Sequence, residues 1–354
     1  MRKMLLSLIL AAAAFSCATG WAQERKSLDV YFIDVEGGQS TLFVSPSGQS
    51  LLVDTGWPGP RDAGRITDVA KQAGITQIDY LVLTHYHGDH AGGVVDLASR
   101  IPIKTFVDHG PNVEEALGTP KNYAAYLTVR EKGQHIEVKP GDRIPIKGID
   151  VQVVSAAAQT ITKPLPGAGA ANPLCADFQA KDETKDPLVG GENKQSISMV
   201  FTLGKFRMVD FGDLTWNKEH DLVCPNNLVG TVDLYVVSHH GQDISSLPML
   251  VHAMRPRAAV MDNGAKKGGA VATFETLKTS PGLEDLWQLH YAMDAGDHNS
   301  SEQFIANTGV GGTVVTGVPD ETTVYAIKVA ARGDGSFTVT NTRTGNHKDY
   351  GSRK

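Results

Sequence analysis

Cysteine is scarce in this 354-residue chain: the three are Cys17, Cys175 and Cys224. Two separated cysteines beyond the N-terminal stretch cannot build a thiolate zinc site, though in an oxidising compartment a Cys175–Cys224 disulfide is expected. An excess of positive charge is also missing. Lys and Arg number 33 against 39 Asp and Glu, for a formal net charge of −6, which argues against a long non-specific grip on polyanions. A phosphodiester substrate is not excluded, because bound cations would reverse the local sign. The apolar stretch Met4–Phe15 is too short to cross a bilayer as a mature helix. It follows Met1-Arg2-Lys3 and leads to Gly20-Trp21-Ala22, the pattern of a signal peptide over residues 1–22 with a secreted or periplasmic product starting near Gln23. A lipidated N-terminus at Cys17 is the alternative, and Ala14-Phe15-Ser16 before it fits poorly. No break in composition divides residues 23–354 into two cores, so one elaborated domain is expected.

His85-Tyr86-His87-Gly88-Asp89-His90 follows the apolar run Leu81-Val82-Leu83-Thr84. A strand over Asp79–Thr84 would deliver three imidazoles and a carboxylate to one sheet edge. His85 and His87 can face one ion, and Asp89 and His90 a second, with Gly88 allowing a sharp turn between the pairs. These donors suit zinc, and less selectively iron or manganese. Two ions about 3.5–4 Å apart can share a hydroxide that attacks an ester, amide or phosphodiester. After the cluster, Ala91-Gly92-Gly93 and Val94–Leu97 read as a close-packed helix start.

His85–His90 together with Ala91-Gly92-Gly93 resembles the HxHxDH motif of the metallo-β-lactamase superfamily. The resemblance implies an α/β fold, an αββα sandwich of mixed sheets with helices on the outer faces and a one- or two-metal site at the sheet edge. Within that superfamily, Asp34–Ser40 resembles the start of the competence-protein ComEC branch and its secreted relatives. Glu192–Ser196, Phe206–Asp213 and Val236–Gly241 resemble three further pieces of that branch, in its order.

Strands are expected at Leu28–Val35, Ser40–Ser45 and Ser50–Asp54, the last two joined through the turn residues 46–49. A helix is expected over Ala63–Gly74, from the spacing of Ile66, Val69, Ala70 and Ala73. Residues 156–191 read as an insertion, rich in Ala, Gly, Pro, Lys and Asp, that forms a lid tied through Cys175 to the loop at Cys224. Further on, Ala258–Asp262 and Leu286–Met293 read as strands, Thr273–Lys278 as a helix, and residues 322–342 as a terminal hairpin.

Asp54 matches the superfamily's Asp-Thr-Gly position, which implies support of the metal loop from behind and not direct ligation. Asp213 is the expected bridging carboxylate, since two oxygens can meet two ions; Asp210 lies on the strand, whereas Gly212 frees the loop before Asp213. Either His239 or His240 completes the second set with Asp89, His90 and Asp213. Side chains of adjacent extended residues point to opposite faces, so the other is expected to face substrate or orient a ligand. A third histidine for the first ion is missing from the interval before Asp213, where Asn193 and Ser196 stand instead, leaving His85, His87 and Asp213.

The expected activity is a secreted hydrolase that uses a metal-bound hydroxide, with one or two zinc ions, Asp89 orienting the nucleophile and the metal-free member of the His239/His240 pair protonating the leaving group. Phosphodiesters are the first substrate class and lactones or amides, β-lactams included, the second. A non-catalytic binding protein with a degenerate site is the third reading.

Overall fold

Two packed sheets, each with helices on its outer face, form the computed structural model, which describes residues 27–185, 191–309 and 324–353. The expected signal peptide therefore lies outside the described residues, as does the start of the expected C-terminal hairpin.

The chain opens with β1 (Leu28–Phe32), β2 (Thr41–Val44) and β3 (Ser50–Val53), an antiparallel meander. Helix α1 (Pro60–Gln72) then crosses to β4 (Ile78–Val82), and the short helices α2 (Gly88–Ala91) and α3 (Val94–Ala98) lead to β5 (Ile103–Asp108). Helix α4 (Thr119–Arg130) precedes β6 (Gln134–Glu137). α1 begins three residues before the expected Ala63, because Pro60 is well suited to a first helical turn whose N–H groups have no partner. From β3 to β6 the strands are parallel, as helical crossovers require.

The second sheet holds β7 (Asp150–Ala156), β8 (Gln159–Thr160), β9 (Ser198–Leu203) and β10 (Phe206–Asp210). Helix α5 (Trp216–Val223) leads to β11 (Leu234–Val236), α6 (Pro248–Met254) to β12 (Ala258–Met261), and α7 (Val271–Lys278) to β13 (Asp285–His290) and β14 (Ile305–Asn307). Strands β10 to β14 are parallel.

The chain ends with β15 (Ile327–Ala331), β16 (Phe337–Asn341) and β17 (His347–Tyr350). These return to the first sheet, where β15 pairs with β1. The expected hairpin is thus present in its described part, and a third strand extends it.

Three apolar layers hold this together. Between the sheets lie Leu28, Val30, Phe32, Phe43, Phe201 and Trp287, with Phe43 and Phe201 stacked at 4.2 Å across the gap. Val209, Phe211, Leu222 and Leu250 fill the space under α5 to α7, and Ile66, Leu81, Leu97 and Tyr126 that under α1, α3 and α4. β1 alternates buried and half-buried positions while β2 is buried throughout, so β2 packs apolar side chains on both faces. The consequence for function is positional. The carboxyl ends of β3 and β4 in one sheet and of β10, β11 and β12 in the other converge on one edge of the sandwich, the place where open α/β sheets expose loops free to carry chemistry.

Candidate metal centre

Each strand end contributes a side chain to this edge. After β3, Asp54 turns the chain in the left-handed region (φ 60°) and receives Thr84 N at 2.8 Å and Thr84 Oγ1 at 2.6 Å, fastening the two strand ends together. After β4, His85 and extended His87 (φ −62°, ψ 154°) precede α2, which carries Asp89 and His90. Gly88 opens that helix and is absent from the positive-φ residues, so the turn is made by a helix start and not by a glycine in a special conformation. Gly93 is needed for a different reason: a Cβ there would lie 2.2 Å from Thr55 O. After β10, Gly212 (φ 54°) releases the chain so that Asp213 turns inward.

His239 and His240 follow β11 in a way strand alternation does not anticipate. Both are left-handed (φ 55° and 54°), and two successive left-handed residues bring both rings to the same carboxylate. His239 Nε2 lies 3.2 Å from Asp213 Oδ2, and His240 Nε2 3.5 Å from Asp213 Oδ1. The expectation of opposite faces is corrected here: the two histidines bracket Asp213.

Asp89, His90, Asp213 and His240 form a compact buried group. His90 Nε2 is 3.2 Å from His240 Nε2 and 3.5 Å from Asp89 Oδ2, and His240 Nε2 is 3.3 Å from that same oxygen. Asp213 Oδ2 is 3.2 Å from His90 Nε2. A tetrahedron with metal–ligand bonds of about 2.0–2.1 Å has edges of about 3.3–3.4 Å. The His90–His240, His90–Asp89, His240–Asp89 and His90–Asp213 spacings lie close to that figure, and one ligand atom from each of the four residues lies within 4.8 Å of the others. The buried Asp213 Oδ1 receives no hydrogen bond, so the donor set fits a zinc-sized ion. His85 Nε2 and His87 Nδ1 approach to 3.0 Å beside it, with Asp213 Oδ2 3.9 Å from His85. Asn193 Nδ2 lies 3.5 Å from His239 Nε2, and Ser196 Oγ accepts from Asp213 N at 3.3 Å.

The outer nitrogens of His85, His87, His90 and His239 meet polar groups that fix which nitrogen turns inward, and that of His240 lies near a carboxylate without bonding to it. His85 Nδ1 meets Thr84 Oγ1 at 3.1 Å, His87 Nε2 meets Glu114 at 3.1 Å, and His90 Nδ1 meets Asp54 at 2.7 Å. His239 Nδ1 is 3.4 Å from Ser245 Oγ and His240 Nδ1 3.5 Å from Asp262.

Electrostatics divide the five. Burial and the neighbouring His90 and His87 hold His85 well below the ordinary histidine range. Burial likewise lowers His87 against the pull of Glu114, and takes His239 down to about 4. For His90 burial opposes the charge, but Asp213 and Asp54 outweigh it and raise the ring to about 10. His240 is raised to about 9 against burial by Asp213 and Asp262. Asp213 itself is held well below the carboxylate range: burial works the other way, but His239, His90 and His240 prevail. Without a metal, two imidazolium rings thus supply the positive charge around this carboxylate.

Of the sequence-predicted residues, the structure gathers His85, His87, Asp89, His90, Asp213, His239 and His240 into one buried cluster, with Asp54, Asn193 and Ser196 in contact with it. Cys175 and Cys224 are disulfide-bonded, tying the insertion to the end of α5. Beyond the disulfide, the insertion lays Lys181 over the Trp216 ring at 4.3 Å. Sequence reasoning missed Glu114, Asp262, Ser245 and Lys267. Asp262 had a signal, an acid just past an apolar strand; Lys267, whose Nζ contacts Asp89 Oδ2, had a weaker one in the glycine-rich run Asn263–Gly269.

Residues 33–261 match the Metallo-beta-lactamase superfamily. The chain is similar to ComE operon protein 3 of Bacillus subtilis (strain 168), 26% identical over 67% of this chain and 28% of that protein. A stretch of 65 residues, 18% of the chain, is 43% identical to an atrochrysone carboxyl ACP thioesterase of Passalora fulva, covering 19% of it. The chain therefore spans under a third of the length of these curated relatives. Among solved structures, a metallo-β-lactamase of Cronobacter sakazakii matches at 13% identity and a TM-score of 0.36, over 62% of this chain and 80% of that one.

Proposed function

Since the chain belongs to the metallo-β-lactamase superfamily, we propose that it is a metal-dependent hydrolase that cleaves phosphodiester bonds. The observation that carries the metal-dependent part is the close, buried clustering of ligand atoms from Asp89, His90, Asp213 and His240. The choice of phosphodiesters rests on the likeness of Asp34–Ser40, Phe206–Asp213 and Val236–Gly241 to the competence-protein branch.

A bound divalent ion supplies Lewis acidity and lowers the pKa of water at the site. The chain's own groups do the rest. His90 presents Nε2 inward because Asp54 holds its Nδ1, and His240 presents Nε2 inward with Asp262 3.5 Å behind its Nδ1. Asp213 offers one oxygen toward His240 and the other toward His85, His90 and His239, the disposition of a carboxylate shared between two halves of a site. His239 occupies the place left by the missing third histidine: its Nε2 turns toward Asp213 on the side of His85, and burial keeps the ring neutral and able to donate a lone pair. It is therefore assigned to the first half, and His240 to the second. Asp89, at a corner of the second half, would hold the ion through one oxygen and could orient the attacking water through the other, expansion to five-coordination admitting that water.

A second reading, hydrolysis of a thioester, lactone or amide, draws on the 43% identity to a named thioesterase over 65 residues. Parallel assays of the zinc-loaded protein on bis-p-nitrophenyl phosphate, a lactone, an acyl thioester and a chromogenic cephalosporin separate the readings. Turnover of the diester that is lost on chelation and restored by zinc is the expected result. Turnover of the carbonyl substrates alone would replace the first reading with the second, and zinc binding with no turnover of any would leave a binding protein.

A further inference from the structure

We propose that Lys267 is the residue by which this site selects anionic substrates, its ammonium holding a non-bridging oxygen of the phosphodiester; this rests on the hydrolase reading above. Lys267 lies in the loop between β12 and α7, which is fastened to the turn carrying His240. Gly264 N donates to Lys267 O at 2.9 Å, Gly269 N to His240 O at 2.9 Å and Ala270 N to Gly241 O at 2.8 Å. Asn263 Nδ2 donates to His290 O at 2.9 Å from the other side. Gly268 is seated so closely that a Cβ would lie 2.0 Å from His240 O. The backbone of Lys267 is thus fixed relative to the site while its long stem keeps freedom to move.

The ammonium reaches the solvent side of the cluster. Its side chain is 29% exposed where that of Asp89, which it contacts, is 10% exposed, and it lies over the Trp57 ring at 5.1 Å. Lys267 ion-pairs with Asp89, one of the seven cluster residues. Arg65 is engaged by Asp34 and Glu36 at 3.2 and 3.3 Å, and Lys194 by Glu183 at 3.0 Å.

Charge counting then gives Lys267 its role. The four-residue group brings two carboxylates, Asp89 and Asp213, and two imidazoles. A dication among them balances both negative charges, so the positive charge of Lys267 is left without a full counter-ion at the mouth of the site. A compact anion restores the balance, and an ammonium is a point donor that follows an oxygen as it approaches. A purely structural lysine that steadies Asp89 makes a different prediction: its removal would weaken metal binding first.

The test uses the zinc-loaded full chain as wild type, Lys267→Met and Lys267→Arg, measuring zinc content by elemental analysis and binding of dimethyl phosphate and of acetate by calorimetry. Equal zinc content in all three is expected, with dimethyl phosphate bound about tenfold more weakly by Lys267→Met and largely recovered by Lys267→Arg. Undiminished dimethyl phosphate binding by Lys267→Met would overturn the proposal. Zinc loss in step with anion loss would also overturn it, leaving Lys267 as a support for Asp89. Wild type that binds acetate but not dimethyl phosphate, with acetate binding lost in Lys267→Met, would uphold the anion contact and sink the phosphodiester reading alone.

Discussion

Replacing Asp54 with Asn tests whether the residues behind the cluster set its affinity for metal. The carboxylate accepts Thr84 N at 2.8 Å through Oδ1, and Thr84 Oγ1 at 2.6 Å and His90 Nδ1 at 2.7 Å through Oδ2. Asparagine keeps the volume and one acceptor, but sets an amide N–H₂ where Oδ2 received two donors. Removing a carboxylate behind a ligating histidine weakens metal binding by about 10–100-fold, or about 1.4–2.7 kcal/mol. The metal-free fold also suffers, because the pair is fully buried and breaking such a pair costs about 3–5 kcal/mol. His90 can shed its proton once Asp54 is gone, so the lower end of that range is expected. Since His90 is raised to about 10, the contribution of its ion pairs is fully present below about pH 6.5 and is lost as pH rises through about 10. Destabilisation of Asp54→Asn relative to wild type should therefore shrink across that interval. Zinc competition against a chromophoric chelator at pH 7.5, with thermal unfolding of the metal-free proteins at several pH values, gives both numbers. A folded Asp54→Asn protein that binds zinc within twofold of wild type would refute the reasoning.

The remaining predictions address other parts of the molecule. His240→Ala should abolish zinc binding at the four-residue group while His239→Ala spares it, as equilibrium dialysis with each variant would show; equal loss in both would remove the division of the pair. Because His90 and His240 are raised to about 10 and 9 and must be deprotonated to bind, zinc affinity should climb with pH between 6 and 8 and release up to about two protons; calorimetry in buffers of different ionisation enthalpy counts them, and a pH-independent affinity would contradict the account. Asp210 is pushed up to about 7 by burial, with Asp262 and Asp54 adding to it, so its contribution to the metal-free fold is present below about pH 3.8 and lost as pH rises to 7. Asp210→Asn should gain on wild type by up to about 4 kcal/mol over that window, measured by urea unfolding; parallel pH profiles would refute this. Trp287, buried between the sheets, packs edge-on to Phe304 at 4.8 Å and donates to Tyr350 Oη at 3.0 Å. Trp287→Ala should cost about 3–5 kcal/mol, and a loss under 1 kcal/mol in urea unfolding would show the layer to be far more adaptable than its packing indicates.

The seven clustered residues were legible because their chemistry is written locally. Three imidazoles and a carboxylate crowd into His85–His90, and Asp213 and His239-His240 each follow an apolar strand. What escaped was backbone conformation and distant company. Strand alternation put His239 and His240 on opposite faces, yet two consecutive left-handed residues fold both rings around Asp213. Glu114 reaches His87 from a loop beyond β5 and Ser245 reaches His239 from the loop before α6; nothing in their own neighbourhoods marks them, because only the folded sandwich brings them close. The sheet pattern was legible in the meander and crossovers, where apolar spacing is local. The return of β15 to pair with β1 was not, since pairing between the two ends of a chain leaves no local signature. Residues 156–191 were read as an insertion from their composition, length and weak periodicity, and the Cys175–Cys224 bond shows where it is anchored.

Anomalous diffraction from zinc-loaded crystals, recorded on either side of the zinc edge, puts the central claim to its most direct test. The expected peak lies about 2.0–2.2 Å from His90 Nε2, His240 Nε2 and carboxylate oxygens of Asp89 and Asp213. No peak inside that group, or zinc bound only by residues outside it, would contradict the claim.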